Sequence, residues 1–120
     1  NYQKEIIRNY RRACVYQERA LTTYRVLYEE EAHPDVASSL NSVGVAYHQL
    51  GEVQKGLSYQ EQALAMYQAL YGKVPHADLA MSLSNVGASY ESLDKVQQAL
   101  NYKKQALMMR KKLYDETSST

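Results

Sequence analysis

One phrase recurs three times along the chain: YQERALTTYRVLY from Tyr16 to Tyr28, YQEQALAMYQALY from Tyr59 to Tyr71, and YKKQALMMRKKLY from Tyr102 to Tyr114, each 43 residues after the last. A fixed period of about 20 to 50 residues makes a chain a stack of like units, each burying its apolar face on its neighbour rather than in one central core. The period extends to the connections, since HPDVA (His33–Ala37) falls on HADLA (His76–Ala80). Between the phrases, Leu40, Val43, Gly44, Tyr47 and Leu50 fall on Leu83, Val86, Gly87, Tyr90 and Leu93. Function is therefore expected on a surface of the stack.

Apolar residues spaced by three or four predict two helices per unit, over 36–50 and 53–71, then 79–93 and 96–114. Pro34 and Pro75 lie between units, where a fixed φ and a missing N–H suit a linker or helix start, with Asp35 and Asp78 near the positive helix end. Gly51 and Gly72 follow the last apolar residue of a helix, as a left-handed C-terminal cap does. Gly44 and Gly87 lie inside helices, where glycine costs about 1 kcal/mol relative to alanine. Small residues at Gly56 and Ala99, and at Ala63 and Ala106, supply the compensation: two smooth stripes that let an antiparallel pair pack closely. Short loops agree with that pairing. The organisation is an all-α array of about two and a half units: residues 1–31 partial and mainly a second helix, with a break or extension near Arg8, then 32–74 and 75–116, and a tail at 117–120. The chain opens on Asn rather than Met, which suggests a piece of a longer protein.

The 14 Lys and Arg residues nearly balance 13 Asp and Glu, so no global field draws in nucleic acid or an anionic membrane. Cys14 is the only cysteine, which excludes an internal disulfide and reads as a small buried residue suited to a reducing, cytoplasmic setting. No apolar run approaches the roughly 18 residues of a membrane span.

Catalysis finds no support: there is no glycine-rich phosphate loop, HExxH, paired cysteine or Gly-x-Ser-x-Gly. No cofactor or metal is expected, since His33, His48 and His76 lack metal-ligand spacing and two of them simply repeat with the period. The twelve tyrosines, mostly in repeat register, read as packing residues with hydroxyls reaching polar partners. Lys103, Lys104 and Arg110–Lys112 form the one basic cluster, taken as a solvated face. Opposite the packing stripe, the first helix of the central unit presents Ser38, Asn41, Ser42, Val45, His48 and Gln49. Its successor presents Met81, Ser84, Asn85, Ala88, Glu91 and Ser92. Stacked side by side, these short and nearly uncharged groups would form a groove able to donate to and accept from an extended peptide backbone.

Leu40, Val43, Gly44, Tyr47, Gly51, Gly56 and Ala63, with Leu83, Val86, Gly87, Tyr90, Ala99 and Ala106, resemble the tetratricopeptide repeat, and more narrowly the longer repeat type of kinesin light chains. The resemblance spans the chain and implies a right-handed superhelix of antiparallel helix pairs that binds proteins. It also implies that Asn85, with Ser42 at the matching place in the other unit, holds a peptide backbone on the concave face. Gln60 and Lys103 stand where the family places leucine or an aromatic residue, beside Tyr59 and Tyr102. The expected role is a scaffold or adaptor fragment with a protein or peptide partner. Two alternatives are a repeat region of a nucleotide-binding signalling or regulatory protein, and a module assembling with itself through open repeat ends. The second draws on an apolar strip, Leu100, Ala106, Leu107, Met108, Met109 and Leu113, expected to lie open on the last helix.

Overall fold

The computed structural model describes residues 1–118, which form five helices and, among those residues, no strand: α1 (Tyr2–Leu27), α2 (Pro34–Gln49), α3 (Val53–Tyr71), α4 (Ala77–Ser92) and α5 (Val96–Ser118). Helices α2 and α3 pack as one pair and α4 and α5 as the next, while α1 lies on α2 and α3 on α4. The result is an elongated helical array, 51 Å by 37 Å by 24 Å. Near Arg8 the helix is extended, not broken: α1 runs unbroken through that residue and stops at Leu27. At the other end α5 continues to Ser118, so the expected tail is partly helical, and residues 119–120 lie outside the described residues.

The repeated histidines start helices. His33 and His76 accept the backbone N–H of Asp35 and Asp78 at Nδ1, both at 3.0 Å, satisfying one of the donors that a helix N-terminus leaves open. Each ring also stacks on the tyrosine that ends the preceding helix, His33 on Tyr28 at 3.6 Å between centroids and His76 on Tyr71 at 3.9 Å. Tyr28 further donates its hydroxyl to Asp35 at 2.7 Å. The HPD and HAD linkers thus both cap the next helix and fix its angle to the last.

Small residues set the distance within a pair. A Cβ built on Gly56 would sit 2.5 Å from the Gly44 carbonyl oxygen, so only glycine permits this backbone contact. Ala63 and Ala106 are buried, as their recurrence predicts, so Ala106, together with the half-buried Met109, does not belong to the apolar strip expected to lie open on the last helix: both face the core of the array. Tyr59 stacks on Tyr47 at 5.7 Å and Tyr102 on Tyr90 at 5.5 Å, so each takes over the aromatic contact within its helix pair. Past α2 and α3, Gly51 and Gly72 both have positive φ, 84° and 60°, as expected of glycines closing helices.

Candidate functional site

The face of α2 and α4 opposite their packing stripes brings several of the expected residues together, and ties some of them to each other. Asn85 donates its side-chain amide to the Asn41 carbonyl oxygen at 3.1 Å, and Asn41 is buried. His48 stands between two hydroxyls of α4, with Nε2 at 3.2 Å from Ser92 Oγ and Nδ1 at 3.3 Å from Ser89 Oγ. Ser89 has one proton and gives it to the Gln60 side-chain oxygen. The hydrogen between Ser89 and the ring must then come from Nδ1, which leaves Nε2 of a neutral ring to accept from Ser92. These bonds lock the amide of one unit onto that of the next.

Of the remaining residues, Ser42, Val45, Ser84 and Ala88 are half-buried, while Ser38, Gln49, Met81 and Glu91 are exposed. Asn41, Ser42, Val45 and Gln49 join Ala13 and Gln17 of α1 around a shallow cavity of about 220 Å³. Glu91 is turned aside, with its carboxylate 2.6 Å from Lys103 Nζ.

Two residues of this network escape a reading of the sequence. Gln60 and Ser89 are buried, 1% and 0% exposed, and join α3 to α4. The signal available was Gln60 itself, an amide at an apolar position facing Gly44. A second basic cluster is spread along a helix rather than adjacent in sequence. Lys4, Arg8, Arg11, Arg12 and Arg19 share one side of α1 with Ile7 and Val15.

The tyrosines behave mainly as structural groups. Tyr47 donates its hydroxyl to the Glu18 carboxylate, and that bond, reinforced by burial, holds the phenol well above its ordinary pKa. Burial raises Tyr67 and Tyr90 in the same direction, and it raises the Cys14 thiol. Among the described residues no three His, Cys, Asp or Glu side chains gather as a metal site, and no helix is long and apolar enough to cross a membrane.

A profile of the tetratricopeptide repeat matches residues 6–69 and 35–112. The crystal structure of BtubC (BKLC) from P. vanneervenii superposes with a TM-score of 0.81 at 32% identity, over 92% of this chain and 43% of that one. A chain from Podosopora anserina with nearly identical TPR-like repeats, assigned as a kinesin light chain, and a single-substitution variant of it, each give a TM-score of 0.75 at 23% identity. Those matches cover 93% of this chain and 55% of theirs, so it spans about half the length of the solved chains it resembles. No curated protein sequence matches. With helix pairs, repeat register and profile in agreement across most of its length, the chain belongs to the tetratricopeptide-repeat family, with repeats like those of kinesin light chain-like proteins.

Proposed function

We propose that the chain is a non-catalytic protein–protein interaction module that holds a peptide segment of its partner along the inner face of α2 and α4. The observation that carries this reading is the Asn85–Asn41 amide bond, which sets the polar faces of α2 and α4 side by side, with Ser42, Val45 and Gln49 next to it around a shallow cavity shared with Ala13 and Gln17 of α1. An extended peptide offers N–H and C=O groups in alternation, and hydroxyls and amides answer both. The face carries little charge, because Glu91 is engaged by Lys103. That favours a peptide over a nucleic acid, whose phosphates call for lysine and arginine. The parent is a cytoplasmic scaffold or adaptor. The same module within a nucleotide-binding signalling protein would bind in the same way.

A peptide-library screen against the whole chain, followed by calorimetric titration of the best binder, tests the groove. Val45→Glu and Gln49→Glu change the cavity lining without breaking the Asn41–Asn85 bond, and each should weaken binding by about tenfold or more. Unchanged affinity in both variants refutes the reading.

A further inference from the structure

Helices α1, α3 and α5 each turn one side outward, away from every neighbouring helix of the array. The internal helix α3 defines that side, because α2 and α4 both pack on it and still leave Gln54, Lys55, Ser58 and Gln62 exposed. One period earlier the same positions on α1 are Arg11, Arg12, Val15 and Arg19, and all four are exposed. One period later on α5 they are Gln97, Gln98, Asn101 and Gln105, again exposed. Register therefore keeps this side open in every unit, and stacking of a further unit does not cover it. Its chemistry differs between units: neutral amides and a hydroxyl with one lysine on α3, no charge on α5, three arginines around a valine on α1.

Toward its start α1 continues the stripe with Lys4, Ile7 and Arg8. Lys4, Arg8 and Arg12 follow one another at four-residue intervals, and like charges so placed destabilise a helix. Nothing within the molecule offsets this. The ion pairs found among the described residues are His33–Asp35, His76–Asp78 and Lys103–Glu91, none of them on α1. Of the two glutamates of α1, Glu18 is engaged by the Tyr47 hydroxyl. A row of unpaired arginines on a face that packing does not need is complementary to anions outside the chain.

The apolar residues say which anions. Ile7 and Val15 stand 47% and 45% exposed among the cations, and the group encloses a shallow hollow of about 460 Å³. Phosphates of a nucleic acid have no use for aliphatic contacts. A bilayer needs side chains that project beyond the charges, whereas these two are half covered. Carboxylates suit the planar fork of arginine, which binds them through two parallel bonds. We propose that the outward face of α1 docks an acidic amphipathic helix, with carboxylates every fourth residue, about 6 Å apart, beside apolar side chains that rest on Ile7 and Val15. A second copy of the chain does not supply it, since no helix here has two carboxylates four residues apart. The site lies on the opposite side of the array from the inner groove and does not depend on it.

The test uses the whole chain and two synthetic helices as long as the 16-residue α2, sharing one leucine stripe, one with glutamate at every fourth residue and the other with glutamine there. Fluorescence anisotropy should give at least about tenfold tighter binding of the glutamate helix at low salt, fading as salt screens the pairs. Arg12→Gln with Arg19→Gln should remove that preference without lowering the melting temperature. Lys104→Gln with Lys111→Gln, which takes the same charge from α5, should leave the preference intact. Val15→Ser should weaken binding of both helices, and Val45→Glu in the groove should alter neither. Equal affinity for the two helices, no binding of either, or equal effects of the two charge-removing pairs overturns the proposal. A fall in melting temperature on losing Arg12 and Arg19 also overturns it, by making the arginines structural. So does tighter binding of phosphatidylserine vesicles or of duplex RNA than of the glutamate helix, since the face would then serve phosphates.

Discussion

The helix pairs α2–α3 and α4–α5 keep one 43-residue register, yet they close by different means. In the first, Gly44 and Gly56 bring two backbones into contact, and Gln60 lies buried beneath them, bonded by Ser89 from the next unit. In the second, Ala99 stands for Gly56 and Lys103 for Gln60. An unpaired ammonium cannot take the buried place of an amide, so Lys103 reaches out to Glu91 in solvent. The contact at Gly87 is looser in consequence: an added Cβ would lie 3.1 Å from the flexible Lys103 side chain and 3.4 Å from the Ala99 carbonyl. A repeat period thus fixes the backbone path while leaving two side-chain solutions open, one dry and close, the other wet and more forgiving.

The largest expected effect follows from that difference. Gly56→Ala forces a Cβ onto backbone that has no freedom to retreat, and overpacking of this kind costs about 1 to 3 kcal/mol, occasionally more. Gly87→Ala crowds only the Lys103 stem, its approaches to the Ala99 carbonyl and Tyr102 Cβ being ordinary contacts, and the gain in helix propensity, about 1 kcal/mol, offsets the crowding. Urea melts of the two variants should therefore separate widely. Equal losses would mean that both pairs pack with the same closeness.

The inter-unit bonds sharpen the contrast next. Ser89→Ala leaves the Gln60 side-chain oxygen buried without its donor, at a cost of about 1 to 3 kcal/mol. Lys103→Ala removes an exposed ion pair, which contributes about 0 to 1 kcal/mol and less at high salt. A double-mutant cycle over Gln60 and Ser89 should give a clear coupling energy, while one over Lys103 and Glu91 should give almost none. Comparable couplings would show that the buried bond adds nothing beyond its surface counterpart.

The fold was legible in the sequence because its constraints are periodic. Leu40 with Leu83, Gly44 with Gly87, and the tyrosines of the thrice-repeated phrase each point to a face, and the faces imply the pairing. The candidate site was legible only as a surface. Placing Ser42, Val45 and Gln49 on the side of α2 opposite its packing stripe needs nothing beyond helical spacing. Learning that Asn41 and His48 are engaged with α4 needs the offset between two helices, which no single helix encodes. The histidine caps were hidden for another reason. His33 and His76 were visible as repeating linker residues, but histidine is an uncommon N-cap, and the tyrosine ring beneath each one holds it there.

Tyr47 and Tyr90 extend the comparison to pH. A phenolate at Tyr47 would face the Glu18 carboxylate, so the folded state keeps the phenol neutral to a pH well above the ordinary value near 10. A group with a raised folded pKa contributes fully below its unfolded pKa, and loses that contribution as pH climbs through the folded value. Stability should therefore fall above about pH 10. Tyr47→Phe should be about 1 to 2 kcal/mol less stable at neutral pH, having lost its bond to Glu18, and should lose less on alkaline titration. Tyr90 is raised chiefly by burial, and Tyr90→Phe should change the profile less. Identical alkaline slopes in the parent and Tyr47→Phe would exclude this bond as the source.

The smallest effect lies at the turn inside each pair. Gly51 has φ of 84° after α2, and its counterpart after α4 is Asp94 with φ of 60°. The backbone needs the left-handed region at both, because the Leu50 and Leu93 amides close the helix and the next residue must reverse the chain within a few positions. Glycine enters that region freely, whereas an L-residue meets its own carbonyl, at roughly 1 kcal/mol, somewhat less for aspartate. Asp94→Gly should accordingly stabilise the second pair by about 0.5 kcal/mol, the relief being partly offset by the greater freedom of glycine in the unfolded chain. Gly51→Asp should destabilise the first pair by a similar amount. Equilibrium melts precise to a few tenths of a kcal/mol, on the two variants and on the exchange of both residues together, give the answer. If the exchange is neutral while each single change moves stability in the stated direction, the two turns share one conformation. A loss in Asp94→Gly would instead assign to the aspartate a role of its own in this turn, and the equivalence of the two units would end there.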